Sequence, residues 1–407
     1  MHILLIHQAF AALDEPGGTR HHEMALHLAA KGHQVTVIAS PVSYLTGAAS
    51  GERVPWVTRQ SGGQGVTILR AYTYRALHKS FVHRVFSFLS FMISSFLIGL
   101  TVKKVDLVWG TSPPIFQGLA AWALARIKRA KFLFEVRDLW PAFAVAVGVL
   151  TNPLLIGASE GLEKFLYRRA GRLMVNSPGF IPHIEARGGR DLVLIPNGAD
   201  TSMFDPLSKG ADFRRKHSLG KQFTALYAGA HGMSNDLGIV LLAAKLLDQE
   251  NIAIVLLGDG KEKAALQQLA AELKLDNLHF AAPVPKTEMG EALAAADACI
   301  AILKPVEMYK TVYPNKVFDY MAAGRPIVMA IDGAAREVVE KAGAGIFAQP
   351  GDAQALAEAI RQLAADRKKA RKMGLAGRAY LEEHFDRQKL AEELEAVISG
   401  QWVVSSK

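Results

Sequence analysis

The chain of 407 residues has one cysteine, Cys299. That count excludes an intramolecular disulfide and any cysteine-based metal site, and it fits a reducing compartment. Charge is sparse, at 21% of residues against 50% hydrophobic. A globally disordered chain is thereby excluded, and there is ample material for packed cores. No fixed-period repeat and no low-complexity tract interrupts the sequence. The amino terminus, MHILLIHQ, lacks the basic-then-apolar layout of a signal peptide and reads as a first strand, which predicts a cytoplasmic protein. Acidic residues are outnumbered, and the formal net charge is +9. Such a balance favours anionic partners: nucleotides, nucleic acid or the anionic cytoplasmic leaflet. An ordinary solvated basic surface accounts for it equally well.

What is present is alternation. The apolar run at 3–6 leads into a turn-rich stretch, Asp14-Glu15-Pro16-Gly17-Gly18, and then a helix expected from about Thr19 to Lys31. Gly32 ends that helix and Val35–Ala39 is a second strand, making a βαβ unit with a glycine-rich crossover loop. Strands follow at 66–69, 107–109, 132–136 and 172–176, with a helix at 116–129. A second series starts near residue 222. It has strands at 223–227, 252–257, 278–281, 298–302 and 326–330, and helices at 238–248 and 261–273. This order predicts parallel sheets covered on both faces. The polar, strand-poor segment Asp205–Gly220 is the expected linker. The expected organisation is therefore a Rossmann-like domain over 1–205, another over 206–385, and a carboxyl-terminal helix at 386–407 packing back on the first.

Val85–Val102 carries no charge and is flanked by Arg84 and by Lys103-Lys104. Eighteen helical residues reach roughly 27 Å, marginally enough to span a bilayer. Three readings stand: a transmembrane helix, a buried crossover helix, and a crossover helix that also dips an apolar face into the membrane interface. Arg70, Arg75, Lys79, Arg84, Lys103 and Lys104 supply the basic surroundings that the third requires, and Phe81, Phe86, Phe88, Phe91 and Phe96 the bulk. The same phenylalanines equally suit a core.

Several short segments carry chemistry. Gly17-Gly18 lets backbone approach a ligand, and the helix beyond offers free N–H groups to an anion, with Arg20, His21 and His22 just after. Such turns are also often only turns. The segment 135–141 (EVRDLWP) lies at the carboxyl end of a strand, where α/β sheets place ligands. There Arg137 and Asp138 either form an ion pair holding the loop, or Asp138 takes a proton from, or orients, an acceptor hydroxyl. The turn 195–200 (IPNGAD) reads as structural. Gly258-Asp259-Gly260 repeats the strand–glycine–helix pattern and is neither a Walker loop nor a dinucleotide fingerprint. Lys261 and Lys263 after it either neutralise a diphosphate or form a charged first turn. The densest region is 307–328. There Tyr313-Pro314-Asn315 precedes a short helix at 316–323. Either the helix start with Lys316 cradles phosphates and Asp319 takes ribose hydroxyls, or the helix is only another crossover.

Taken in order, these segments resemble the GT-B glycosyltransferases, specifically the retaining family 4 group. The likeness runs over nearly the whole chain. It is carried by the first glycine loop with Gly32-His33-Gln34-Val35-Thr36-Val37, by 196–200, by Tyr227-Ala228-Gly229, by Gly258-Asp259-Gly260 and by 319–328 (DYMAAGRPIV). Residues 135–141 and Pro314-Asn315-Lys316 are most similar to the bacterial branch that builds O-antigen, capsule or colanic-acid units, fucosamine transferases included. The resemblance implies an α/β, GT-B fold of two facing Rossmann-like domains with parallel sheets and a cleft. It implies a sugar nucleotide held mainly by the carboxyl-terminal domain, no metal, and retention of anomeric configuration. Two positions depart from the family. Its paired glutamates fall on Thr311 and Asp319, and Ala230-His231-Gly232, with Asn235 and Asp236 beyond, replaces its usual Arg and Lys.

The site expected from this is specific. Asp138, Arg137 and His231 are the catalytic candidates. Gly17, Gly18, Gly229, His231, Gly258, Asp259, Gly260, Lys263, Asn315, Lys316, Val317 and Asp319 are the candidates for holding the sugar nucleotide. The expected donor is a UDP- or GDP-sugar carrying a hexose or N-acetylamino sugar, with no other cofactor. The expected acceptor is a polyprenyl-diphosphate-linked saccharide at the cytoplasmic leaflet of the inner membrane, where the protein would sit peripherally. Two rivals remain: a UDP-sugar 2-epimerase of the same architecture, and a basic nucleic-acid or membrane adaptor. The latter lacks a helix-turn-helix or aromatic-basic interleaving, so no nucleic-acid partner is expected.

Overall fold

The computed structural model describes residues 1–43, 47, 54–75 and 81–400, with the side chain of Phe81 excepted. Lys79 and the Phe81 ring, both counted above, lie outside the described residues. The chain forms two compact units. One holds Met1–Ala12, Gly17–Pro196 and the chain from Gln388 on; the other holds Leu13–Pro16 and Asn197–Arg387.

The first unit contains β1 (His2–Ile6), α1 (Arg20–Ala30), β2 (Gln34–Ala39), β3 (Val57–Ser61), β4 (Val66–Ala71) and α2 (Phe81–Thr101). It continues with β5 (Leu107–Ser112), α3 (Phe116–Lys128), β6 (Lys131–Val136), α4 (Ala142–Ala146), α5 (Pro153–Arg169), β7 (Arg172–Val175), α6 (Ile181–Ala186) and β8 (Leu192–Leu194). Its sheet runs β3-β4-β2-β1-β5-β6-β7-β8, parallel except for β3 against β4. The second unit contains α7 (Ala211–Lys216), β9 (Phe223–Ala228), α8 (Leu237–Leu246), β10 (Ile252–Leu257), α9 (Lys263–Leu273), β11 (Leu278–Ala281), α10 (Lys286–Ala294) and β12 (Ala298–Ile302). It ends with α11 (Asn315–Ala322), β13 (Ile327–Ala330), α12 (Ala334–Lys341), β14 (Gly345–Phe347), α13 (Ala353–Ala365) and α14 (Arg367–His384). Its sheet, β11-β10-β9-β12-β13-β14, is wholly parallel. Helix α15 (Arg387–Ser399) packs Leu390, Leu394 and Ile398 into the core of the first unit.

The period-two geometry of strands explains the second unit's core. Leu226 and Ala228, Val255 and Leu257, and Cys299 and Ala301 join one hydrophobic cluster. Their neighbours Ala225 and Tyr227, Ile254 and Leu256, and Ile300 and Ile302 join the other. Apolar residues on both faces are what a parallel sheet between two helix layers requires. Segment 205–220, expected as a linker, instead folds inside this unit and contains α7. The units exchange upstream of it, at Pro196–Asn197.

Helix α2 settles one of the three readings of its segment. Strand β1 pairs with β2, from before the helix, and with β5, from after it. One sheet therefore contains chain from both sides of α2, and the spanning reading fails. Phe88, Phe91, Ser94, Ser95 and Ile98 are buried, and Gly99 admits Leu124 of α3, whose Cδ1 would lie 2.4 Å from an added Cβ. The opposite face is apolar and exposed: Val82, Phe86, Ile93, Leu97 and Leu100, with Phe86 57% and Ile93 53% accessible. The serines point in and part of the large aliphatic surface points out.

Candidate active site

In each sheet, ligands of α/β proteins gather where the strand order reverses, at β1/β5 and at β9/β12. The loop after β9, Gly229-Ala230-His231-Gly232, lies against the loop after β10. Gly229 N–H donates to Leu257 O at 3.0 Å and His231 N–H to Asp259 O at 2.7 Å. A Cβ on Gly258 would sit 1.9 Å from Gly229 O, and one on Gly260 would sit 2.5 Å from His231 O. These glycines therefore permit backbone to pack on backbone, at φ values of +147° and +155°. Asp259 Oδ1 accepts from Gly260 N–H at 2.7 Å. Lys263 Nζ donates to Gly258 O at 2.8 Å, so this lysine pins the loop.

Lys316, in the first turn of α11, reaches the same place. Its Nζ donates to Tyr227 Oη at 2.8 Å and to Asn235 Oδ1 at 3.0 Å. A Cβ on Gly229 would approach that Nζ to 3.2 Å, so glycine makes room for the ammonium. No carboxylate of the described residues pairs with it. Burial lowers its pKa to about 7. His231 is fully buried with both ring nitrogens unpartnered. Burial first, and then the charge of Lys263, lower its pKa to about 4, so it is neutral at pH 7. The side-chain oxygen of Asn315 is likewise buried without a partner, and Val317 is buried in the core. One unused imidazole N–H, a cation with no carboxylate beside it and a helix start suit an anion, while the Asn315 oxygen can only accept.

Asp319, expected to take ribose hydroxyls, is engaged by Lys286 of α10 at 2.5 Å. Thr311, at the other family carboxylate position, donates its hydroxyl to Met308 O. Tyr227 was named only within the Tyr227-Ala228-Gly229 segment, with no role at the site, and Lys286 not at all. Asn235 was noted only as lying beyond the segment that replaces the family's Arg and Lys, and it accepts from Lys316.

In the first unit, the basic residues after Gly17-Gly18 are not a solvated first turn: they are buried and engaged within the protein. Arg20 and His21 are fully buried, and both bind Glu135, at the end of β6. His21 Nε2 donates to Glu135 Oε2 at 2.7 Å, Trp109 Nε1 donates to the same oxygen at 3.0 Å, and Arg20 Nη2 donates to Ile195 O at 2.8 Å. His22 Nε2 donates to Gly62 O. Burial alone would raise Glu135, but Arg20 and His21 hold its pKa down at about 2. Gly17 has a packing reason, since an added Cβ would meet Ala11 Cβ at 2.9 Å; Gly18 is exposed beside it.

Arg137 donates to His7 Nε2 at 3.0 Å, which leaves His7 Nδ1–H to donate to Thr111 Oγ1 at 2.8 Å. Asp138, half-buried just beyond, has its pKa raised to about 7 by burial, against the lowering influence of Arg137. The structure thus brings Gly229, His231, Gly258, Asp259, Gly260, Lys263 and Lys316 together in the second unit. Gly17, Gly18, Arg137 and Asp138 belong to the first. Among the described residues, no three His, Cys, Asp or Glu side chains cluster to hold a metal ion.

Known proteins match this organisation. The sucrose-phosphate synthase of Thermosynechococcus elongatus superposes with a TM-score of 0.76 at 20% identity, covering 98% of both chains. Anabaena HepE, in complex with UDP and glucose, gives 0.74 at 18% identity, covering 98% of this chain and 99% of that one. The fold is therefore GT-B: two Rossmann-like units, each on a parallel sheet. The glycosyl transferase 4-like domain model matches residues 17–198, and the model of the glycosyl transferases group 1 matches 209–380. The putative colanic acid biosynthesis glycosyl transferase WcaI of Escherichia coli (strain K12) is 23% identical over 356 residues, 84% of this chain and 86% of the relative. The chain belongs to the family 4, group 1 glycosyltransferases.

Proposed function

We propose that this glycosyltransferase moves a hexose or N-acetylamino sugar from a UDP- or GDP-sugar to a polyprenyl-diphosphate-linked saccharide in cell-surface polysaccharide synthesis, with retention and without a metal. The observation that carries the donor site is Lys316: a half-buried lysine near unpartnered His231, with no carboxylate of the described residues pairing with it. A diphosphate supplies the missing charge. HepE, whose structure holds UDP, and the relation to WcaI support the donor class and the pathway.

In the reaction, the bond from the sugar's anomeric carbon to the diphosphate oxygen breaks, and the acceptor hydroxyl oxygen bonds to that carbon from the same face. The acceptor proton passes to the departing diphosphate. Lys316, the backbone amides of 230–232 and the start of α11 stabilise the charge that develops there. Asp138, in its ionised form, accepts a hydrogen bond from the acceptor hydroxyl and orients it. Lipid linkage is supported by the outward apolar stripe of α2, with Arg84 at one end and exposed Lys103 and Lys104 at the other. A peripheral seat on the inner membrane follows from that reading.

The test is a thermal-shift panel of nucleotides and sugar nucleotides, with EDTA present, on the protein and on Lys316→Ala. The protein should be stabilised by at least one of them and the variant much less. Absence of stabilisation by every nucleotide in the panel overturns the reading.

A further inference from the structure

A carboxylate on the same helix as a diphosphate-binding lysine presents a difficulty. Asp319 is three residues along α11 from Lys316. Left bare, its negative charge would repel the phosphates that Lys316 attracts. The structure neutralises it: Lys286 Nζ lies 2.5 Å from Asp319 Oδ1. Lys286 is buried, is held over the Phe204 ring at 5.0 Å, and comes from the first residue of α10. The carboxylate thereby keeps its capacity to accept hydrogen bonds while its net charge is cancelled.

Resting on the donor-site reading above, we propose that Lys286 is a positioning residue for the donor's ribose. It fixes the short side chain of Asp319 so that the carboxylate receives the ribose hydroxyls without repelling the diphosphate. The family position holds a longer glutamate; the shorter aspartate reaches less far, and its ion pair with Lys286 sets where its oxygens stand. Lys286 touches Asp319 and is not assigned a contact to the substrate.

The pair makes a separable prediction about the sugar of the nucleotide. Calorimetric titration should compare UDP with 2′-deoxy-UDP, and GDP with 2′-deoxy-GDP, on the protein, Lys286→Met, Lys286→Arg and Lys286→Met/Asp319→Asn. The intact protein should prefer the ribonucleotide by about tenfold, the magnitude of a hydrogen bond to a charged acceptor. Lys286→Met should reduce that preference to about twofold or less and weaken both nucleotides through the unmasked charge. Lys286→Arg should restore the preference. The double variant, which removes both charges, should fold and regain diphosphate binding while still lacking ribose preference.

If no nucleotide binds the intact protein, the donor-site reading falls and this assignment falls with it. If nucleotides bind but the intact protein shows no ribose preference, or Lys286→Met and the double variant retain it, only the assignment is overturned. A purely structural pair would lower the melting temperature in Lys286→Met and leave the ribose-to-deoxyribose ratio unchanged, which is also an overturning result.

Discussion

Lys316 holds its ammonium 4.0 Å from the centre of the Tyr227 ring and 2.8 Å from that ring's hydroxyl. Tyr227 faces one sheet surface from β9 and Lys316 starts α11, so the contact ties the crossover helix to the strand that bears the glycine loop. Replacing Lys316 by methionine keeps the aliphatic volume and removes the cation. Nucleotide affinity should fall by about tenfold or more, as expected for loss of a charge-assisted contact. Equilibrium titration with UDP and GDP checks this.

The same lysine has a pH signature. Its folded pKa is about 7 against an ordinary 10.5. Between those values the unfolded chain holds a proton that the folded chain lacks, so stability of the empty protein should rise with pH over that window. Lys316→Met should lose this rise in a series of melting curves. Nucleotide affinity should run the other way, weakening as pH climbs above about 7 and the ammonium is lost.

Asp138 accepts a hydrogen bond from a hydroxyl most strongly as the carboxylate, and its pKa stands at about 7. Turnover should therefore rise with pH through that value, on the limb opposite to the loss of Lys316 charge. Asp138→Asn should lower kcat by about a hundredfold and leave nucleotide affinity unchanged. Steady-state kinetics alongside titration separates the two effects.

Glu135 anchors Arg20, His21 and Trp109 from a fully buried position. Glu135→Gln leaves a buried guanidinium without its counter-charge, a loss of about 3 kcal/mol or more. Chemical denaturation measures it. Its pKa of about 2, against an ordinary 4.5, means the carboxylate's contribution is present above 4.5 and lost as pH falls toward 2. His21, lowered to about 4 from 6.5, adds a loss of the same sign between those two values, because the unfolded chain takes up the proton first.

The apolar face of α2 is testable apart from its core face. Phe88 and Phe91 are buried, so their replacement reports on folding. Phe86→Ser with Ile93→Ser and Leu97→Ser touches exposed residues and should leave the melting temperature nearly unchanged. Flotation with liposomes rich in anionic lipid should decrease in that triple variant. Unchanged flotation removes this stripe from membrane binding.

The local periods of the chain determined much of this protein. Apolar runs of three to six residues predicted β1, β2, β4, β5, β6 and β7 and the strands from β9 to β13, and helix α11 was legible from its start at Pro314-Asn315 to its stop at Gly324. Glycines at strand ends marked both loops of the donor site. Strand β3 escaped because Val57–Ser61 is exposed throughout and carries no alternating apolar face. Only the tertiary structure decided the fate of charges. Arg20 reads as a first-turn cation beside a glycine loop, yet it is buried on Glu135, 115 residues away, because the parallel order of β1, β5 and β6 closes over it. Lys286 and Asp319 are 33 residues apart and meet only because the fold brings the first residue of α10 within reach of α11. The same holds for α2. Composition cannot say which of its apolar residues turn inward, since that depends on the neighbours offered by α3 and β4. Helical and strand periods are properties of adjacent residues, whereas the pairing of a buried charge is a property of which strands lie side by side.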